Sequence, residues 1–328
     1  MVRALVTGGA GFIGSHIAAE LLERGHAVTV LDSMEPYYDL RIKERNIDRC
    51  REIGGGRFQF VEGSITEGAL VDDLFSSRDV EVVYHQAAQA GVRTSIENPK
   101  KPHDINTTGL LTLLRAADDY GVRRFVNASS SSVYGEVEYL PYDEEHQTVP
   151  QSPYGVTKLT AEHYCRVWND IYDVPTVSLR YFTVYGPRMR PNMAITNFTS
   201  RCLDGKPPIV YGDGQQTRDF TYVDDIVEAN LALLDAPAAD GETINVGSTR
   251  TITIEELAEH VIAETGADAD PVYTEPKDGD ARHTHADVTK ARELLDYEPS
   301  TEIRDGVSQF VDWYRENRKW YEPLVVES

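Results

Sequence analysis

The stretch Thr7-Gly8-Gly9-Ala10-Gly11-Phe12-Ile13-Gly14 limits the possible folds more than any other part of this chain. It follows an apolar run at residues 2–7 and opens a helix-period run at residues 12–23. A strand entering a glycine turn and leaving as a helix is the start of a crossover unit. In the spacing Gly-x-Gly-x-x-Gly each glycine has a task. One permits the tight turn, one lets a pyrophosphate approach the backbone, and one lets helix pack close to strand. Gly9, Gly11 and Gly14 fit the spacing, and Gly8, Gly11 and Gly14 form a second set. The helix N-terminus then presents free N–H groups and partial positive charge to phosphates. Downstream, Asp32 closes the apolar run 27–31, 18 residues past Gly14. A carboxylate there accepts hydrogen bonds from a ribose diol and repels a 2′-phosphate, so the pair predicts NAD rather than NADP.

The same rhythm continues. Residues 57–61, 80–86, 123–128 and 176–181 read as further strands, and 70–75, 106–120 and 154–171 as helices between them. This alternation predicts an α/β fold, a Rossmann-type doubly wound parallel sheet. Mainly apolar strands such as Val80-Glu81-Val82-Val83-Tyr84 suit burial on both faces. After Tyr181 the pattern changes: Gly and Pro crowd residues 186–214, and helical periods become fewer. The division expected is a dinucleotide-binding domain over 1–181, with a returning segment at about 222–248 that includes a strand at 243–246. A smaller C-terminal α/β substrate lobe takes 182–221 and 249–328. Helices are expected in the lobe at 253–265 and 289–295, the first opened by a capping box from Thr253 to Glu256.

Charge narrows the partners. With 54 acidic against 32 basic residues the net charge is −22, and a nucleic-acid partner is disfavoured because phosphates are repelled. No apolar run approaches the ~20 residues of a membrane span, so no membrane association is expected. Met1 leads at once into the first strand, and a cytoplasmic protein is expected. Three widely spaced cysteines, Cys50, Cys165 and Cys202, read as reduced buried thiols, and no metal site is expected.

Two features carry chemistry. Tyr154 and Lys158 stand four residues apart, which places a phenol and an ammonium on one helix face. An ammonium beside a phenol favours the phenolate and makes it a general base. Tyr273 and Lys277 share the spacing but lie between Pro271 and Pro276, where a helix is disfavoured. The second feature is Ser129-Ser130-Ser131-Ser132, directly after the strand 123–128. Hydroxyls at the C-terminal end of a parallel strand face the ligand crevice.

With these residues in view, the chain resembles the extended short-chain dehydrogenases, and among them the nucleotide-sugar 4-epimerases. The matching motifs are the glycine loop, His85-Gln86-Ala87-Ala88, Ser130 with Tyr154 and Lys158, Arg180-Tyr181-Phe182, Tyr185-Gly186-Pro187, Thr217-Arg218-Asp219-Phe220 and Asp224-Asp225. The resemblance implies Tyr154, Lys158 and Ser130 as the catalytic set. Gly8, Gly11, Phe12, Ile13, Gly14, Asp32, Ser64, Ile65, Ala87, Ala88 and Tyr181, with Tyr154 and Lys158, would hold NAD. Arg93, Asn197 and Arg218 would bind a UDP-sugar, with Ser130, Ser131, Ser132 and Tyr154 near its hexose. Many relatives carry Asp where Ser64 stands, so adenine recognition is expected to be looser. Where UDP-galactose 4-epimerases carry Asn, this chain has Thr183, in Thr183-Val184-Tyr185-Gly186-Pro187-Arg188-Met189-Arg190-Pro191. That run is similar to the UDP-glucuronate 4-epimerases, which implies that Thr183 and Arg190 meet a sugar carboxylate. The expected reaction is inversion of C4 through a 4-keto sugar, with a homodimer as the assembly. UDP-glucose/UDP-galactose epimerisation, UDP-glucuronate decarboxylation and a catalytically inactive dinucleotide-binding protein are the alternatives.

Overall fold

The computed structural model describes residues 1–136, 139–276 and 282–325. Its strands are β1 (Arg3–Thr7), β2 (Ala27–Asp32), β3 (Phe58–Glu62), β4 (Val82–His85), β5 (Arg124–Ser130), β6 (Thr176–Tyr181), β7 (Thr183–Tyr185), β8 (Ile209–Tyr211), β9 (Thr217–Arg218), β10 (Phe220–Tyr222), β11 (Thr243–Val246), β12 (Ile252–Thr253) and β13 (Val272–Thr274). The helices are α1 (Phe12–Glu23), α2 (Leu40–Gly54), α3 (Gly68–Arg78), α4 (Val92–Glu97), α5 (Lys100–Pro102), α6 (Leu110–Asp119), α7 (Pro153–Tyr172), α8 (Ala194–Leu203), α9 (Val223–Ala232), α10 (Ile254–Thr265), α11 (Thr289–Leu295) and α12 (Ile303–Tyr321).

Seven strands form one wholly parallel sheet in the order β11-β6-β5-β4-β1-β2-β3. Side chains alternate across it, as the strand period requires. Ala4 and Val6 pack with α1 residues Ile17, Leu21 and Leu22 on one face, while Leu5 and Val83 pack with Leu74, Leu113 and Leu114 on the other. The register sets Thr7 opposite His85 and Ser130 opposite Tyr181, so the strand ends line up along one rim. Connection direction reverses between β1 and β4, the place where open α/β sheets bind ligands.

The expected strands and helices of the first 181 residues are present, with additions. α2 was not foreseen because charged residues dominate its sequence; Ile42, Ile47 and Cys50 supply the buried stripe. The helix expected over 106–120 is instead wound wide over His103–Gly109 before it tightens into α6. Within that wide stretch Asn106 accepts from the Gln89 N–H (2.8 Å) and donates to Thr157 (2.9 Å), tying the β4 exit to α7. The capping box at Thr253 and Glu256 is formed.

Two features of the second half depart from the sequence reading. Helices are not few after Tyr181: α8, α10 and α12 pack around Tyr185, Phe198, Leu257, Phe310 and Tyr314 in the smaller lobe. In addition, residues 286–297, expected in that lobe, pack against the large sheet. Ala286, Val288, Ala291, Leu295 and Tyr297 form an apolar stripe that joins the β11 side of the core, and the Tyr297 hydroxyl donates to the Gly247 carbonyl (2.8 Å). All three cysteines are free and buried. Among the described residues no helix is long and apolar enough to cross a membrane, and no His, Cys, Asp and Glu cluster could hold a metal ion.

Candidate active site

Along the rim lies a crevice of about 450 Å³, lined by the β1–α1 turn, the ends of β2, β4, β5 and β6, and the start of α7. Gly8 adopts φ +68°, and a Cβ on it would stand 2.6 Å from the Ala87 backbone nitrogen. A Cβ on Gly14 would reach 2.4 Å from the Gly8 carbonyl, so only glycine lets α1 begin so close to β1. No side chain caps α1 at Gly11, which leaves the amide groups of its first turn open to an anion. At the end of β2, the buried Asp32 carboxylate accepts from the N–H groups of Ala10 (3.2 Å) and Met34 (2.9 Å). Lys43, from α2, adds an ammonium at 3.0 Å. An uncapped helix start, a glycine cradle and a fixed carboxylate in one crevice suit a dinucleotide.

Gly8, Gly11, Phe12, Ile13, Gly14, Asp32, Ser64, Ile65, Ala87, Ala88, Tyr154, Lys158 and Tyr181 all line this crevice. Ser64 is turned back on its own loop, where its hydroxyl meets that of Thr66 (2.8 Å). The Tyr181 hydroxyl is joined to Asn230 of α9 and to Gln86.

The residues expected to be catalytic, Ser130, Tyr154 and Lys158, all line this crevice. Tyr154 follows the α7 cap, where the Ser152 side chain accepts from the Gly155 N–H, and its own N–H donates to Ser95 (3.1 Å). Burial pushes the Tyr154 phenol upward; a hydrogen bond with Ser130 and the Arg190 guanidinium draw it back down. The sequence reading gave that lowering to Lys158. The Lys158 ammonium lies 5.9 Å from the Tyr154 ring centroid and donates to the Ala128 carbonyl (2.7 Å). Burial lowers Lys158 itself to about 8, against the opposing pull of Cys165 and Glu162. In the described residues, then, the groups that ease ionisation of the phenol are Ser130 and Arg190. Ser130 also donates to Ser132 (3.1 Å) and accepts from its N–H (3.2 Å), which fixes the serine run as a tight turn.

Beneath the serines runs a buried polar chain that the sequence reading missed. Ser129 donates to Glu162, one helical turn beyond Lys158. Arg180 grips the same carboxylate with two parallel bonds (2.9 and 2.8 Å), and both side chains are nearly inaccessible. Arg180 also donates to the Tyr134 hydroxyl (2.8 Å), which donates to Asn245 of β11 (2.7 Å). Tyr154, Lys158 and Glu162 recur at four-residue spacing, so Glu162 was available to the eye.

A second, larger cavity of about 1110 Å³ opens beside the first, toward the lobe. Arg93, Asn197 and Arg218 line it. Thr183 and Met193 line both cavities and so mark their junction; Ser130, Ser131, Ser132, Tyr154 and Arg190 lie on the crevice side. Arg282, also missed from sequence, lines the larger cavity, and its carbonyl accepts from Arg218 (3.1 Å).

The arrangement is that of a dinucleotide-dependent dehydrogenase fold with a separate chamber for a second ligand. The family described as GDP-mannose 4,6-dehydratase matches residues 5–310. A UDP-glucuronate 4-epimerase of Thermodesulfobacterium geofontis is 37% identical over 95% of this chain and 96% of its own. Among solved structures, the UDP-glucuronic acid 4-epimerase of Bacillus cereus, in complex with UDP-glucuronic acid and NAD, is 36% identical over 96% of this chain and 99% of that one, with a TM-score of 0.90. The UDP-glucose 4-epimerase of Thermotoga maritima, with UDP-glucose, is 35% identical over 97% and 100%, with a TM-score of 0.89. The chain belongs to the extended short-chain dehydrogenases, in their branch of NAD-dependent UDP-sugar 4-epimerases, which are isomerases.

Proposed function

We propose that this enzyme inverts C4 of UDP-glucuronate, giving UDP-galacturonate. One observation carries the choice of sugar. Among the described residues Arg190 has no carboxylate partner, although it lines the crevice close enough to Tyr154 to shift its ionisation. Among the described residues the one hydrogen bond of its guanidinium goes to the Met193 sulfur, at 3.6 Å. A guanidinium left unpaired beside the reacting phenol suits a substrate that brings its own carboxylate.

NAD, when bound, supplies the acceptor and donor of hydride for C4. Tyr154 takes the proton of the C4 hydroxyl and later returns one to the C4 oxygen; Ser130 bonds the same oxygen and holds it in register. Lys158, fixed by the Ala128 carbonyl, binds the nicotinamide ribose. Arg218 and Asn197 hold the nucleotide end in the larger cavity, which leaves the hexose able to turn over between the two half-reactions. A 4-keto glucuronate is a β-keto acid and loses carbon dioxide readily. Thr183 and Arg190 hold its carboxylate out of that geometry, with Ser131 and Ser132 beside them.

Incubation with UDP-glucuronate followed by anion-exchange chromatography tests this reading. Both the glucuronate and galacturonate forms are expected at equilibrium. A UDP-pentose product would make the enzyme a decarboxylase; turnover of UDP-glucose alone would move it to the glucose/galactose reaction. Arg190→Met is expected to lower kcat/KM for UDP-glucuronate about 100-fold, the value of a charge-assisted pair of ~3 kcal/mol.

We also propose a homodimer. Val156, Val167 and Ile171 of α7 stand exposed at helical spacing, and Ile96 is exposed on α4, which packs against α7; these apolar side chains suit a second copy. Light scattering should give twice the chain mass, and Val167→Glu with Ile171→Glu should return it to the monomer value. A monomeric parent protein would remove the proposal.

A further inference from the structure

We propose that Tyr37 is a positioning residue that fixes the Arg190 guanidinium at the sugar end of the crevice. The inference rests on the glucuronate reading above. Arg190 sits on the segment between β7 and α8, at the lobe side of the crevice. A long side chain bonded only to a thioether sulfur has little to hold it in one place. What faces it is the ring of Tyr37, whose centroid lies 5.7 Å from the guanidinium carbon. That is within the range of a cation–π contact, and it crosses from the large sheet to the lobe.

Tyr37 is itself held from several directions. The loop leaves β2 through Met34, which adopts φ +50° and donates its N–H to Asp32 (2.9 Å). Glu35 pairs with Lys101 (2.7 Å) and its carbonyl accepts from the Tyr37 N–H (2.9 Å). At the phenol end, Gly91 lies so near that a Cβ there would stand 2.7 Å from the Tyr37 oxygen. Gly91 also adopts φ +111°, a conformation that favours glycine there. The Tyr37 backbone is thus tied down, and its ring, edge to face with Tyr38, lines the same crevice as Ser130 and Tyr154.

The test uses NAD-loaded enzyme and measures Kd by calorimetry for UDP-glucuronate and UDP-glucose. Tyr37→Phe keeps the ring face and should stay within about twofold of the parent for both sugars. Tyr37→Leu removes it and should weaken UDP-glucuronate about tenfold, with UDP-glucose unchanged. Arg190→Met is the reference and should show the same selective loss. If Tyr37→Leu weakens both sugars alike, or neither, while Arg190→Met is selective, the role of Tyr37 is overturned and the carboxylate reading stands. If Arg190→Met is not selective either, the carboxylate reading fails and this proposal fails with it.

Discussion

Tyr154→Phe is expected to lower kcat by about 10³-fold while the protein keeps its fold and its NAD. Phenylalanine preserves the ring and removes one hydroxyl, the group proposed to move the proton at C4. Positioned acid–base groups contribute ~10²–10⁴-fold, and of the other phenols lining the crevice Tyr181 is held by Asn230 and Gln86. Single-turnover kinetics with NAD absorbance as the second readout checks this. Retained turnover with bound NAD would show that another group serves as the base.

Glu162→Ala is the larger perturbation of the frame. The carboxylate is buried between Arg180 and Ser129, so its removal leaves an uncompensated guanidinium and a serine without its partner. Breaking such a pair costs about 3–5 kcal/mol, which for a chain of this length is a fall in Tm of about 4–7 °C. Activity should fall as well, because Ser129 precedes Ser130 and Glu162 lies one turn beyond Lys158. The double variant Glu162→Gln, Arg180→Met removes both charges and is expected to regain more than half of the lost stability. Calorimetry of the three proteins decides it; an unchanged Tm in Glu162→Ala would mean that solvent reaches the pair.

How much of this was legible beforehand depends on the kind of signal. The glycine turn, Asp32 and the strand rhythm were readable because each rests on local sequence: a spacing, a period, a residue type that only one backbone tolerates. The pair Tyr154 and Lys158 was separable from Tyr273 and Lys277 for the same reason. Tyr273 lies in β13, and Lys277 lies outside the described residues. What was not legible depends on distance in space. α2 hid under its charges, and with it Lys43, whose value comes from meeting Asp32 eleven positions earlier. Tyr37 carries no sequence signal at all; its place follows only from the fold, which brings Gly91 and Arg190 to it. The electrostatics were misread in one respect: a helical spacing places Lys158 near Tyr154, but only the structure shows that its ammonium is directed at the Ala128 carbonyl. The helix α11 went astray because its apolar stripe fits either lobe, and sequence does not say which sheet it faces.

The position of β11 has a consequence for how the chain is made. Its neighbour β6 ends at Tyr181, and β11 begins only at Thr243, after the first part of the lobe has been synthesised. During that interval a nascent chain carries an open, apolar border whose backbone groups have no partner, the form of surface most prone to pairing with another molecule. Adding β11 moves that border outward by one strand, to a place where the Glu144 carboxylate takes the Asn245 N–H (2.7 Å), so a chain that stops within this interval is expected to aggregate more readily than the whole one.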